Sequence, residues 1–238
     1  MIKRFLLSLI IFLLLFLGVK YIVKIETLSD KNLQISEVFK FLISVDKRIK
    51  ALIDNYDLEG LNPEKSYLKS LVRSIIFQQL SGRAAETIFN RFMALFPKEK
   101  DLNANKILSL DSALMRSVGI SGPKVNYIKN IANSFIEKSI DYPNFSKLTD
   151  DQIIESLVSI KGVGRWTAQM FLIFTLKRPD VFPEGDLGVR KGFQLFYNLE
   201  DLPSSELILK RSEVWSPYRS FMARYFWKVS DDIELLRR

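Results

Sequence analysis

Residues 157–186 read LVSIKGVGRWTAQMFLIFTLKRPDVFPEGD, and they carry the strongest structural signal in this chain. Apolar residues recur at helical spacing on both sides of Gly162-Val163-Gly164. The pattern predicts two helices joined by a tight turn, whose glycines let the backbone approach a partner with no Cβ in the way. The second helix begins with unpaired backbone N–H groups at the positive end of its dipole, and such a terminus binds phosphate.

Positive charge flanks the turn on both sides, at Lys161 and Arg165. A basic hairpin of this kind holds the backbone of DNA without reading its sequence. The Gly-x-Gly pattern alone is also typical of a plain connection between two helices. From these residues only, both interpretations stay open.

Three other parts of the chain extend the pattern. The hairpin segment IKGVGRWTA at 160–168 is followed by FPEGDLGVRK at 182–191. Before the hairpin lies IIFQQLS at 75–81. After it lies WSPYRS at 215–220, which continues to ARYFW at 223–227. Together they resemble the helix-hairpin-helix DNA glycosylase superfamily. Within it the chain is most similar to the branch of the bacterial 3-methyladenine DNA glycosylase II, which excises alkylated bases. The resemblance spans roughly residues 35–230.

Composition agrees with this resemblance. The chain has 238 residues, a length that is enough for one large or two small domains. Hydrophobic residues make up 47% of it, which supports a sizeable core. The net charge of +8 suits a polyanionic partner. With no cysteine and no histidine, the chain has no disulfide, thiol nucleophile, serine–histidine triad or usual zinc site. The four-cysteine iron–sulfur cluster of some superfamily members is excluded as well.

The N-terminus differs from the rest. Residues 5–19 carry no charge, and an apolar stretch continues through Lys20 to residue 23. We therefore predict a separate apolar helical segment over residues 1–28 and the glycosylase-like domain over residues 29–238. Three interpretations of the segment stay open: a membrane anchor through 5–23, a start assigned too far upstream, and a cleaved signal. Without the anchor, we expect a cytoplasmic, DNA-associated protein.

The rest of the chain predicts an all-α fold, because no run alternates with period two. One helix is expected from 38 onward with Leu52 near its end, and a single helix is expected over 107–118. Thr149 and Ser121 are expected N-caps, and Trp215 is assigned to the core. The architecture expected from the resemblance is two helical subdomains with the active cleft between them. The middle of the chain supplies one subdomain, and the two terminal parts, at about 30–65 and 180–235, combine in the other.

Asp186 is the candidate catalytic residue. Breaking an N-glycosidic bond builds positive charge on the sugar, which a nearby carboxylate stabilises, and the same group can orient or deprotonate the attacking water. Asp186 matches the family's catalytic aspartate, although an aspartate before LGVRK is also typical of a helix N-cap. Glu184 is the neighbouring alternative, and the resemblance does not favour it.

The resemblance also indicates the reaction type. Superfamily members that cut the DNA strand use a lysine that forms a Schiff base with the sugar. In this chain that position is Trp166, so we expect a monofunctional glycosylase that uses water and leaves an abasic site.

A flipped base needs a wedge and a pocket. Gln79 and Leu80 match the family's wedge loop, although the same residues are also typical of a polar helix end. Trp166 and Trp227 match positions that line the base pocket, where aromatic faces attract cationic alkylated purines. Met170 replaces an aromatic residue of the best-known broad-specificity member, which leaves the substrate range open.

The predicted contacts with the DNA backbone are Lys161, Gly162, Gly164, Arg165, Lys191 and Arg219. The resemblance further implies a monovalent or divalent ion held by hairpin carbonyls, no catalytic metal, no other cofactor, and action as a monomer on double-stranded DNA with a damaged base. Two alternatives stay open: a glycosylase for another damaged or mismatched base, and a non-enzymatic DNA-binding module.

Overall fold

The computed structural model describes residues 35–58, 66–98 and 102–236. The apolar segment 1–28, for which an anchor, a misassigned start and a cleaved signal are the open interpretations, lies outside these ranges. Among the described residues no helix is long and apolar enough to cross a membrane, and none of them forms a strand. The prediction of an all-α fold is confirmed for this part of the chain. The described residues up to Tyr56 and those from Asp57 onward belong to two compact units.

The described part of the first unit, from residue 35 onward, contains two short helices, α1 over 35–45 and α2 over Ile49–Asn55. The prediction of one amphipathic helix continuing to Leu52 is wrong, since the chain turns at 46–48. Asp46 supplies the reason. Its carboxylate accepts hydrogen bonds from the backbone N–H and the guanidinium of Arg48, at 3.0 and 2.7 Å. A short acidic side chain bonded to the local backbone competes with helix continuation.

The described part of the second unit consists of helices joined by turns and loops. Its α-helices are α3 (Tyr67–Phe77), α4 (Gly82–Met93), α5 (Ala104–Ser109), α6 (Ser112–Ser117), α7 (Gly122–Ile136), α8 (Asp150–Val158), α9 (Arg165–Phe174), α10 (Leu187–Phe196), α11 (Ser205–Ser212) and α12 (Arg219–Leu236). Short 3-10 turns precede α8 and α12, at Tyr142–Lys147 and Glu213–Trp215.

Local chemistry explains several boundaries. Thr149 begins α8 with a capping box, in which its hydroxyl accepts from the Gln152 N–H and the Gln152 side chain accepts in return. The single helix predicted over 107–118 is wrong, because it is divided into α5 and α6. Asp111 causes the division, since its carboxylate accepts from the backbone N–H groups of Ala113 and Leu114 and so starts a new helix.

The helices of the second unit form two packed groups. Helices α3 to α9 enclose one buried apolar cluster, while α10 and α12 pack closely against each other beside α11. Trp215 belongs to the second group and is 1% exposed, which confirms its assignment to the core. Trp227 of α12 packs against the cluster of the first group. The two groups therefore meet at Trp227, and the candidate site lies at this junction.

Candidate active site

Asp186 lies where three helices meet. Its Oδ2 accepts a hydrogen bond from the indole Nε1 of Trp166 at 2.6 Å. Its Oδ1 accepts from the indole of Trp227 at 2.8 Å and from the backbone N–H of Val189 at 2.9 Å. The bond to Val189 makes Asp186 the N-cap of α10, so the capping interpretation is correct. Capping uses one oxygen only, and the carboxylate remains half-buried between the two indoles.

Glycine at position 188 allows this close arrangement. A Cβ added to Gly188 would lie 2.8 Å from Cδ1 of Trp227 and 3.2 Å from Oδ1 of Asp186. Carbon atoms that are not bonded to each other do not approach this closely without displacement. Gly188 therefore leaves the space in which Trp227, from α12, reaches the carboxylate at the start of α10.

Asp186 keeps capacity for one more donor. An ionised carboxylate offers about four lone-pair positions, and three are used by the indole and backbone N–H groups. All three partners are fixed by helices, so the carboxylate is held in one orientation. The remaining position can orient a water molecule, which is the task that hydrolysis requires.

The two tryptophans also present aromatic surface at the junction. Trp166 and Trp227 are half-buried, and Trp227 stacks on Phe174 with ring centroids 5.4 Å apart. Met170 is 7% exposed and belongs to the buried cluster against which both tryptophans pack. Their assignment to a base pocket stays a prediction, and Met170 is buried rather than at the surface.

Glu184 is bound by other groups. Its Oε2 accepts from the amide of Gln169 at 3.3 Å, and its Oε1 lies 3.9 Å from Nε of Arg165. Arg165 is 60% exposed, so this long ion pair contributes little. No indole donor contacts Glu184, in contrast to Asp186. The geometry therefore favours Asp186 as the reactive carboxylate.

The segment leading to Asp186 is fastened to the start of α12. Arg219 forms a bidentate ion pair with Asp180, at 2.7 and 2.9 Å, and the Ser220 hydroxyl accepts from the backbone N–H of Val181 at 2.9 Å. Burial raises the pKa of the Asp180 carboxyl, but hydrogen bonds from Arg219 and Ser216 outweigh it and leave the pKa below its ordinary value. Because its guanidinium is engaged here, Arg219 stays only a predicted phosphate contact.

The hairpin forms as its sequence predicts. Helix α8 ends at Val158 and α9 begins at Arg165, with Gly164 as an N-cap whose terminus no side chain caps. Gly162 has φ +105, a conformation that L side chains rarely adopt, and its Cβ would lie 2.2 Å from Cγ of Tyr127. A Cβ at Gly164 would meet no atom within 4 Å. The first glycine is needed for packing, while the second leaves open space before α9.

The two glycines predict separable effects. Gly162→Ala is expected to lower the free energy of unfolding by about 1–3 kcal/mol and to weaken DNA binding, because it strains the turn and displaces Tyr127. Gly164→Ala should weaken DNA binding with a smaller loss of stability, because its methyl meets only the incoming DNA backbone and alanine is merely a poorer N-cap than glycine. Denaturant unfolding and DNA titration of both variants measure this. A loss of stability in Gly164→Ala as large as that in Gly162→Ala would contradict the assignment.

The predicted wedge residues follow α3. Gln79 has φ 55, in the left-handed region that non-glycine residues seldom occupy, and Leu80 is 41% exposed. Two supporting residues were not predicted. Gln78 donates to the carbonyl of Gly162 at 3.2 Å and to the Thr167 hydroxyl at 2.9 Å. Lys124 donates to the carbonyls of Ile76 and Gln78 at 2.8 and 2.7 Å. These contacts join distant parts of the sequence, so no local pattern reveals them.

A concave region of about 650 Å³ lies beside the hairpin rather than at Asp186. It is lined by Gly122, Pro123, Asn126, Tyr127, Lys129, Asn130 and Lys161. The lining residues offer ammonium, amide and hydroxyl donors and include no carboxylate. Lys191, also predicted to contact DNA, is half-buried in α10.

The sequence of residues 72–217 matches the family described as the HhH-GPD superfamily base excision DNA repair protein. The chain belongs to this superfamily. The match includes the hairpin, the wedge residues and Asp186, so the HhH-GPD assignment covers most of the elements described above.

Several individual proteins similar to this chain are named 3-methyladenine DNA glycosylases. DNA-3-methyladenine glycosylase 1 of Schizosaccharomyces pombe is 36% identical over 185 residues, which are 77% of this chain and 81% of the relative. DNA-3-methyladenine glycosylase of Saccharomyces cerevisiae is 37% identical over 179 residues, 72% of this chain and 60% of the relative. The solved structure of the S. pombe 3-methyladenine DNA glycosylase Mag1 in complex with abasic DNA superposes with a TM-score of 0.76 and 34% identity, covering 82% of this chain and 97% of that one.

Proposed function

We propose that this HhH-GPD protein is a monofunctional DNA glycosylase that removes alkylated purines of the 3-methyladenine type from double-stranded DNA. The observation that carries the proposal is the carboxylate of Asp186, held at a helix junction by two indole N–H groups. The names of the relatives and the abasic DNA bound to Mag1 support the substrate class and the product.

The reaction is a hydrolysis. The C1′–N bond breaks and its electron pair leaves with the base, which for a purine alkylated at a ring nitrogen converts a cationic group into a neutral one. Asp186 stabilises the positive charge that develops on the sugar. A water molecule at the remaining acceptor position of Asp186 attacks C1′, and its proton passes to the carboxylate or to solvent. The products are the free base and an abasic site.

Trp166 and Trp227 have two tasks in this scheme. Their N–H groups hold Asp186, and their faces bind a flipped cationic base by cation–π attraction. Met170, in the buried cluster against which both tryptophans pack, provides a polarisable and adaptable wall. An amine nucleophile would be expected at Trp166 in a strand-cutting relative, and indole cannot form a Schiff base. The DNA strand should therefore stay intact until alkali cleaves the abasic site.

The DNA backbone is bound by the hairpin, through Lys161, Arg165 and the open N-terminus of α9. The adjoining concave region with its lysines continues this donor-lined surface. Gln79 and Leu80 fill the gap left by the flipped base. We expect one protein molecule per lesion, which sedimentation of the complex checks.

Lys161 should contribute to the salt dependence of DNA binding. Lys161→Gln is expected to weaken binding to all duplexes alike and to reduce the slope of log K against log salt by about 0.9, because one phosphate contact is lost. Lys210→Gln, at an exposed lysine in α11, is the matched control and should leave the slope unchanged. Equal slopes for Lys161→Gln and the parent would remove Lys161 from the interface.

An ion at the hairpin is proposed only as a structural partner. The carbonyls of Lys161 and Gly162 already accept hydrogen bonds from Asn130 and Gln78, at 2.9 and 3.2 Å, and each retains a second lone pair. An ion would have to share them. In the part of the chain that the structure describes, no group of three or more acidic side chains could hold a metal. No reaction step is assigned to an ion.

A substrate panel tests the proposal. Duplexes carrying one alkylated purine, one oxidised purine or one mismatch are incubated with the protein, and free base is measured by chromatography. We expect release from the alkylated duplex. Release only from the oxidised or mismatched duplex would replace the substrate class, and salt-sensitive binding without release of any base would indicate a binding module.

A further inference from the structure

The wedge loop, residues 78–81, and the hairpin turn, residues 161–164, are joined by side chains that have no part in the reaction itself. We propose that Gln78 and Lys124 are positioning residues that fix the wedge loop to the hairpin turn, so that holding the DNA backbone and unstacking the base act as one rigid operation. This inference rests on the proposed function, which it deepens by naming how the wedge is supported.

Gln78 connects the two elements directly. Its side-chain amide donates to the carbonyl of Gly162, inside the turn, and to the hydroxyl of Thr167, in the first turn of α9. Thr167 is 1% exposed, so this end of the link is buried. A movement of the wedge loop away from the hairpin must break both hydrogen bonds.

Lys124 supports the same loop from α7. The last carbonyls of a helix lack partners within it, and a positive charge near them is favourable. Lys124 meets this need at the end of α3 by donating to the carbonyls of Ile76 and Gln78. Tyr127, one turn further along α7, packs under Gly162. Helix α7 therefore underlies both the wedge loop and the hairpin turn.

Rigidity here has a mechanical consequence. Gln79 and Leu80 are both exposed, and the loop that carries them is fixed at its base by Gln78 and Lys124. Unstacking a paired base requires work, and less is needed for a mismatched or unpaired base. A loop free to move would yield when pressed against stacked bases. A fixed loop transfers the strain to the DNA.

The test is Gln78→Met, which keeps the length and bulk of the side chain but removes both hydrogen bonds. Unstacking is read from the fluorescence of 2-aminopurine placed beside an abasic-site analogue in a duplex, at saturating protein. We expect the unstacking equilibrium to fall about tenfold, within the range expected for two ordinary hydrogen bonds, with the salt slope of binding unchanged. Because the two hydrogen bonds also stabilise the folded state, the melting temperature should fall by about 2–6 °C. Gln194→Met is the control, because the Gln194 amide likewise donates two hydrogen bonds, to the backbone carbonyls of Leu199 and Glu200 after α10, and it should unstack the probe as the parent does.

Base release gives the second reading. Under single-turnover conditions, Gln78→Met should slow release of the base about tenfold when the target is paired. When the same target lies opposite an abasic site, the loss should be less than about twofold. Lys124→Met should show the same direction. Equal losses on both targets, or unstacking equal to that of the parent, would overturn the inference, as would a parent that does not unstack the probe. A parent that unstacks the probe but releases no base would refute the proposed function only, and the unstacking comparison would still decide this inference.

Discussion

Asp186→Asn is expected to slow base release by about 10²- to 10⁴-fold, the range over which a positioned acid–base group acts. The variant loses the negative charge that stabilises the sugar cation. Its amide nitrogen is a donor and therefore cannot accept from one of the two indoles, so the orientation of the side chain is also disturbed. Asparagine remains a good N-cap, which keeps α10 in place. Single-turnover release from alkylated duplex, together with denaturant unfolding, measures both effects.

Asp111→Asn is the matched control for this variant. Asp111 caps α6 by accepting from the N–H groups of Ala113 and Leu114, and it is exposed outside the candidate site. It therefore repeats the charge change and the capping role without the reaction. Its rate of base release should equal that of the parent. If Asp186→Asn retained more than about a tenth of the parent rate, the result would exclude a contribution of Asp186 to the rate of about 10²-fold or more, which is usual for a general acid–base group.

Gly192→Ala is expected to have the largest effect on stability. A Cβ at this position would lie 1.9 Å from the backbone oxygen of Phe226, so α10 and α12 must separate to admit it. Overpacking against backbone cannot be relieved by a rotamer change, and we expect a loss of about 3 kcal/mol or more in the free energy of unfolding. For a protein of this size the melting temperature should fall by about 6–12 °C.

Separation of these helices should also reduce catalysis in the fraction that remains folded. Asp186 begins α10, and Trp227 follows Phe226 in α12. The 2.8 Å hydrogen bond between Trp227 and Asp186 therefore depends on the close approach of the two helices at Gly192. Gly82→Ala is the control, because a Cβ at this helical glycine meets no atom within 4 Å. It should be neutral or slightly stabilising. A Gly192→Ala protein with the melting temperature of the parent would refute the packing argument.

Local features of the sequence were sufficient to predict the hairpin. Gly162 and Gly164 mark a turn through their backbone freedom, the Thr149 cap fixes the start of α8, and the apolar spacing fixes the buried faces of both helices. Asp186 could be predicted as a cap from its neighbours and as a catalytic residue from the resemblance. Its two indole donors could not be derived, because Trp166 and Trp227 reach it only through tertiary packing.

Two kinds of feature could not be predicted for physical reasons. The breaks at 46–48 and near Asp111 interrupt runs whose apolar spacing favours one helix, because a single aspartate bonded to nearby N–H groups outweighs that spacing. The ion pair of Arg219 with Asp180 and the bridge from Gln78 to Gly162 join residues far apart in sequence. An exposed basic residue and a partnered one have the same appearance in a sequence.

The central claim is tested most directly by the products formed from alkylated duplex DNA. The protein and its Asp186→Asn variant are incubated with the duplex, free base is measured by chromatography, and strand breaks are scored before and after alkali. We predict free methylated purine from the parent, its loss in the variant, and breaks only after alkali. Breaks before alkali would contradict a monofunctional reaction, and DNA binding without any release of base would contradict the assignment as a glycosylase of alkylated bases.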